Sequence, residues 1–345
     1  MDSTKRQVYF DVLRIIAILC VLFNHSGESG YFIFTLTDNI PLQIISIFIS
    51  SLSKMGVPLF FMISGALLLK KEETLKELYM KRVLRYIIII FVFCGLYYFY
   101  QCRLNHTSFN FKEMIRQITT GQTQTSYWFL YSYLGFLVSL PLLRKIAAAF
   151  STGDFIYLIC LYITGVGIFA LLARTFIGQI VVYIPFAVDI LAYPLLGYFF
   201  AEVVPTHEPD KKILRLMILL ALSGLILNIF LTEYDYYLFK GWNESGLSAF
   251  IILPTIATFY ITKYIFDHTA IPATLRNFLC ALGSCTFGVY VLECYIKTFI
   301  GPFLQRLLAG LPYTVENMLY IILIMFAGCA VTYILKKIPV VQKLL

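Results

Sequence analysis

Charge is what this chain has least of. Only 13% of its 345 residues are charged, against 60% hydrophobic, where soluble domains hold about 25% charged and about 45–50% apolar residues. That scarcity excludes an ordinary soluble enzyme, a disordered chain and a nucleic-acid reader, and it leaves an integral membrane protein with many helices. No CxxC pair occurs among the eight cysteines, and Cys20, Cys94, Cys160, Cys285 and Cys329 all lie within apolar runs. They read as small buried hydrophobes, so neither a disulfide framework nor a metal site is expected. No A-x-A-like site follows residues 8–23, and Arg14 interrupts the stretch, so this segment is expected to remain as a span rather than be cleaved as a signal peptide. Internal repeats, low-complexity tracts and soluble domains are also missing. The longest loops, 70–85 and 103–126, are too short for a separate catalytic domain. Any chemistry must therefore use the bundle itself, as a single domain over 1–345.

What is present is a series of apolar runs. A span needs about 20 residues to cross about 30 Å of hydrocarbon. Ten runs qualify: 8–25, 52–69, 86–102, 127–143, 154–173, 178–201, 212–231, 247–266, 278–299 and 316–335. They are too long and too little alternating for a barrel, so the expected fold is an all-α polytopic bundle of about ten transmembrane helices. With the N-terminus inside, 18 Lys and Arg fall on inner segments and 7 on outer ones. The positive-inside rule then sets both termini in the cytoplasm of a multi-pass inner (plasma) membrane protein, and the formal charge of +8 reflects those loops.

Ionisable groups inside spans are costly and by default mark function. The first span carries Asp11 and Arg14, then apolar residues up to Asn24, His25 and Ser26. Arg14 and His25 stand about three helical turns apart on one face, some ~16 Å along the axis, with Asp11 on the same stripe. The structural alternative is that Asp11 and Arg14 pair and that His25 caps the helix at the interface. In the loop after the second span, Arg82 and Arg85 share a helix face with Lys70, Lys71 and Lys81 nearby. Such a cluster suits a polyphosphate, although plain topology and attraction to anionic membrane lipid explain most basic loops.

Glu293 in the ninth span reaches a depth close to that of His25. It can orient the imidazole or pair with Lys297 one turn on. Asp189, nearer mid-membrane in the sixth run, either faces a cavity or balances Arg14. Trp128 and Tyr131 open the fourth span, and Trp242 precedes the eighth. Aromatic faces of this kind hold sugars but also form ordinary interfacial belts.

Taken together, these residues resemble the acyltransferase-three family of integral-membrane O-acyltransferases. Asp11-Val12-Leu13-Arg14, followed after ten residues by His25, matches the opening pattern. Val57-Pro58-Leu59-Phe60-Phe61-Met62-Ile63-Ser64-Gly65 resembles the second span, and Arg82-Val83-Leu84-Arg85 resembles the Arg-x-x-Arg loop. Trp128 to Tyr131 and Gly283 to Tyr290 add weaker matches, so the likeness runs from residue 8 to about 335. One departure is Glu293, where members often carry histidine.

The resemblance implies transfer of an acyl group, usually acetyl, from coenzyme A to a hydroxyl of an extracytoplasmic glycan. It implies Arg82, Arg85 and Arg14 on the acetyl-CoA phosphates, with Ser64 on the same donor side. It implies His25 as general base or acyl carrier, supported by Arg14 and Glu293, and Trp128, Tyr131, Trp242 and Asp189 on the acceptor. Some members carry an added extracytoplasmic hydrolase-like domain. Here the transfer is expected either to finish on this chain or to pass to a separate extracytoplasmic partner protein. The rival classes are a secondary transporter, which paired broken helices would favour, and a non-catalytic partner in surface-polysaccharide assembly.

Overall fold

The computed structural model describes residues 7–27, 30–174, 180, 182–204, 211–239, 241 and 244–345. Among them every regular element is helical and no strand occurs. The first half of the chain forms α1 Val8–Asn24, α2 Ile40–Ser53, α3 Gly56–Leu68, α4 Leu75–Leu78, α5 Leu84–Leu104, α6 Phe111–Thr120, α7 Trp128–Ala149 and α8 Thr152–Tyr162. The second half forms α9 Phe169–Leu172, α10 Asp189–Tyr198, α11 Lys211–Phe239, α12 Glu244–Ser248, α13 Ile252–His268, α14 Ala273–Leu308, α15 Tyr313–Leu335 and α16 Pro339–Gln342. Widened π turns join α4 to α5 at Tyr79–Val83 and α8 to α9 at Ile163–Ile168, and extend α10 through Phe199–Val203.

Eight of these helices or helix pairs are long and apolar enough to cross a membrane: Ile40–Leu68, Leu75–Leu104, Thr125–Ala149, Thr152–Leu172, Lys211–Leu238, Glu244–His268, Ala273–Leu308 and Tyr313–Leu335. Two shorter elements complete the bundle, α1 with 17 residues and α10 with its extension. The fold is an all-α polytopic bundle, and it differs from the sequence pattern at two places. Residues 40–51, outside every expected span, belong to α2, which Asn39 caps by accepting from the Leu42 amide at 3.1 Å. Among its described residues, the run at 178–201 is helical only from Asp189, and Pro185 lies in the part that is not helical. Proline withdraws a donor and pushes the residue before it out of the helical region. Residues 178, 179 and 181 of that run lie outside the described residues.

α1 runs through the centre, packed against α2, α3, α13, α14 and α15. Lipid tails are as apolar as leucine, so close van der Waals approach between backbones holds such helices together. A Cβ on Gly65 would stand 1.9 Å from the Pro194 carbonyl oxygen, and one on Gly197 would stand 1.9 Å from that of Met62. α3 and α10 thus touch backbone to backbone at both places. Gly283 of α14 likewise lies against α1, where a Cβ would come within 2.5 Å of that of Asp11. The Gly283 contact seats the central helix, which carries Arg14 near its middle and His25 at its C-terminal end.

Candidate active site

The histidine ends α1, with its amide donating to the Val21 carbonyl at 3.1 Å. Its Nδ1 lies 2.9 Å from Oε2 and 3.1 Å from Oε1 of Glu293 on α14. A carboxylate only accepts, so Nδ1 carries the hydrogen and the neutral ring keeps its lone pair on Nε2. Lys297 pairs with the same carboxylate one turn on and donates to the His25 carbonyl at 3.0 Å. The two roles open to Glu293 from sequence therefore coincide: it orients the imidazole and pairs with Lys297.

His25 lines a cavity of about 590 Å³ together with Asn24, Tyr31, Lys54, Trp128, Tyr162, Asp189 and Glu244. Lys54 pairs with Glu244 and stands 4.7 Å from the centre of the Tyr31 ring. Tyr162 donates to Asp189, the first residue of α10, where the helix N-terminus favours an anion. The Asn24 amide nitrogen donates to the Cys20 and Ser53 carbonyls at 3.1 and 2.7 Å. Both hydrogens are then used, and the buried Oδ1 has no partner among the described residues.

A second cavity, of about 340 Å³, lies toward the other end of α1. Its walls include Arg14, Ser64, Lys81, Arg82, Arg85, Tyr86 and Tyr133. Arg14 donates to the fully buried Asp11 at 2.8 Å. Arg82, in the π turn before α5, forms a fork on Glu73, with Nε at 3.1 and 2.9 Å from the two oxygens. Arg144 of α7 donates to the same carboxylate at 2.9 Å and to the Leu68 carbonyl at 3.1 Å. The hydrogen bond from Arg82, helped by Arg144, holds the Glu73 carboxyl down at about 2. Among the described residues, Arg85 makes no ion pair. Lys81 pairs with Glu77 at 3.0 Å and Lys70 with Glu202 at 2.7 Å.

The structure thus gathers Arg14, Ser64, Arg82 and Arg85 in one cavity, and His25, Trp128 and Asp189 in the other. Asp189 faces the histidine cavity and does not balance Arg14, whose partner is Asp11. Tyr131 lines neither cavity: its hydroxyl donates to the Ile118 carbonyl at 2.7 Å and pins α6. Trp242 lies outside the described residues. Sequence reasoning missed Glu73 and Arg144 around Arg82, and Asn24, Lys54, Tyr162 and Glu244 around the histidine. Lys54 is a charge within the expected span 52–69, and that signal could have pointed to this wall.

No curated protein and no solved structure matches the chain. The family model described as an acyltransferase domain matches residues 7–337. That match covers α1 through α15 and every residue lining the two cavities except Leu344 and Leu345, and with the eight membrane-length helices it identifies a multi-pass membrane acyltransferase. The chain belongs to the acyltransferase-three family.

Proposed function

We propose that this protein moves an acyl group, acetyl in the simplest case, from a cytoplasmic coenzyme A thioester to a hydroxyl of an extracytoplasmic glycan, working in the inner (plasma) membrane. The observation that carries this reading is the imidazole held through Nδ1 by Glu293, with no partner on its other nitrogen among the described residues, in a polar cavity next to a second one lined by three arginines. The basic cavity takes the donor. Arg82 and Arg85 bind the phosphates as charge-assisted forks, Arg14 stands deeper, and the positive-inside rule turns this end toward the cytoplasm.

In the histidine cavity Nε2 takes the proton of the acceptor hydroxyl as its oxygen attacks the thioester carbonyl. Glu293 stabilises the imidazolium that forms, and the proton then goes to the departing thiolate, which leaves as coenzyme A. Trp128 offers a face for a sugar ring. Asp189, Glu244, Lys54 and the free Asn24 oxygen offer hydrogen-bond partners for hydroxyls.

The test compares envelope glycans by mass spectrometry in cells making the wild type, His25→Ala, Arg14→Ala, or Arg82→Ala together with Arg85→Ala. Loss of the acyl mark in each is expected. Near-normal acylation with His25→Ala at equal protein level overturns the mechanism. Uptake of an intact solute without coenzyme A consumption points instead to a transporter.

A further inference from the structure

Among the described residues the two cavities share two lining side chains, Phe129 of α7 and Tyr290 of α14. Their rings stand edge to face, with centroids 5.7 Å apart and planes at 87°. Both are nearly closed off, at 8% and 5% exposure. Tyr290 is tethered, since its hydroxyl donates to the Ser126 carbonyl on the turn that leads into α7. Phe129 has no polar anchor; it leans on Phe61 at 5.3 Å and on Tyr133 at 5.7 Å.

Each side of this pair is polar. Arg14 and Ser64 lie on one side, and His25, Asp189 and Lys54 on the other. Neither cavity is enclosed. In a bundle that spans a membrane, a polar route joining them would carry water and protons down the membrane gradient. A constriction made by apolar ring faces, with the one hydroxyl among them already bonded, expels water and so interrupts such a route.

We infer that Phe129 and Tyr290 form a closed aromatic partition that keeps the unoccupied pathway dry and that must part to admit a ligand from the basic side. Phe129 is the leaf that moves, because a rotamer change there breaks only van der Waals contacts, whereas moving Tyr290 also breaks its tether. The ligand class rests on the function proposed above: a slim thioester-bearing arm whose acyl end passes the rings. The seal does not depend on that reading.

The experiment uses the full chain reconstituted in liposomes with an entrapped pH-sensitive dye, under a potassium diffusion potential. Wild-type vesicles should acidify no faster than protein-free ones. Phe129→Ala, which merges the two cavities, should acidify at least about tenfold faster. Phe129→Leu, a gentler change for use if the alanine variant does not elute as folded protein, should lie between them. Folded Phe129→Ala or Phe129→Leu vesicles as tight as wild type overturn the partition.

A second measurement uses inverted membrane vesicles, with their own glycan as acceptor, supplied with acetyl-CoA or butyryl-CoA. Phe129→Leu should raise the butyryl-to-acetyl transfer ratio several-fold, and Phe91→Ala, on the exposed side of α5, should leave it unchanged. An unchanged ratio in Phe129→Leu overturns the role of the rings in passage. Failure of wild-type vesicles to transfer either group overturns the proposed function instead, and leaves the proton measurement to judge the seal.

Discussion

Replacing Glu293 by glutamine tests the centre of the mechanism while keeping its shape. The carboxylate contacts His25 Nδ1 at 2.9 Å and pairs with Lys297. During transfer the imidazole becomes cationic, and opposite unit charges about 4 Å apart attract by about 4 kcal/mol at an effective dielectric near 20. Lys297 already neutralises part of that carboxylate, which leaves about 3 kcal/mol, or roughly 10²-fold in rate at about 1.4 kcal/mol per decade. Glutamine adds a second penalty. Its NH2 can donate to Nδ1, which shifts the hydrogen to Nε2 and removes the lone pair that serves as base, so the combined loss is expected at about 10²- to 10⁴-fold. The assay is initial-rate acetyl transfer from labelled acetyl-CoA to glycan in inverted vesicles, normalised to protein amount, with thermal unfolding in detergent as the check on folding. Lys297→Met keeps the carboxylate and should lose less than Glu293→Gln. A Glu293→Gln enzyme that retains more than a third of wild-type rate would refute the role assigned to this carboxylate.

Two further outcomes concern the frame. Glu73 is held at about 2, below its ordinary 4.5, by Arg82 and Arg144. Because the folded value is the depressed one, the stability this group supplies is complete above about pH 4.5 and fades as pH falls toward 2. Wild type should therefore exceed Glu73→Gln by about 1–2 kcal/mol at neutral pH, allowing for screening by solvent, and the gap in unfolding midpoint should shrink below pH 4.5; a gap that stays constant to pH 3 contradicts the assignment. Gly65→Ala would push a methyl against the Pro194 carbonyl at 1.9 Å and should cost roughly 3 kcal/mol or more. Gly95→Ala, whose Cβ would meet only Met114 Sδ at 3.7 Å, should be neutral or mildly stabilising in the same unfolding measurement.

What was legible in the sequence was whatever hydrophobicity makes expensive. Asp11, Arg14, His25 and Glu293 stand out because each interrupts an apolar run, and all four lie at the two cavities or at the packing beside them. Spacing also placed Arg82 and Arg85 together, and both line one cavity. Pairings across the fold were not legible. Glu244 is 190 positions from Lys54, Arg144 is 71 from Glu73, and nothing in local pattern joins them. Tyr131 failed for a related reason: a helix with apolar residues on every face does not announce which tyrosine meets a cavity and which meets a neighbouring carbonyl. The sixth run misled because hydropathy reads 178–201 as one span, while the chain is not helical from Val182 to Val188, where Pro185 falls.

The pattern of ion pairs distinguishes the two cavities in a way that composition alone does not. Around the basic cavity Arg14 is matched by Asp11 and Lys81 by Glu77, while Glu73 serves both Arg82 and Arg144, and Arg85 has no carboxylate among the described residues. Two guanidinium charges are thus left in excess at the mouth of that cavity, which suits a polyanionic donor whose binding weakens with salt. Around the histidine, Lys54 is matched by Glu244 and Lys297 by Glu293, and the remaining Asp189 carboxylate accepts from Tyr162. That wall has no surplus cation for a phosphate, and its side-chain oxygens can accept from hydroxyls. A single ligand moving from end to end would find one of these walls hostile. Two ligands of opposite character, one approaching from each side and meeting at the imidazole, satisfy both, and this division of charge favours group transfer over transport for this bundle.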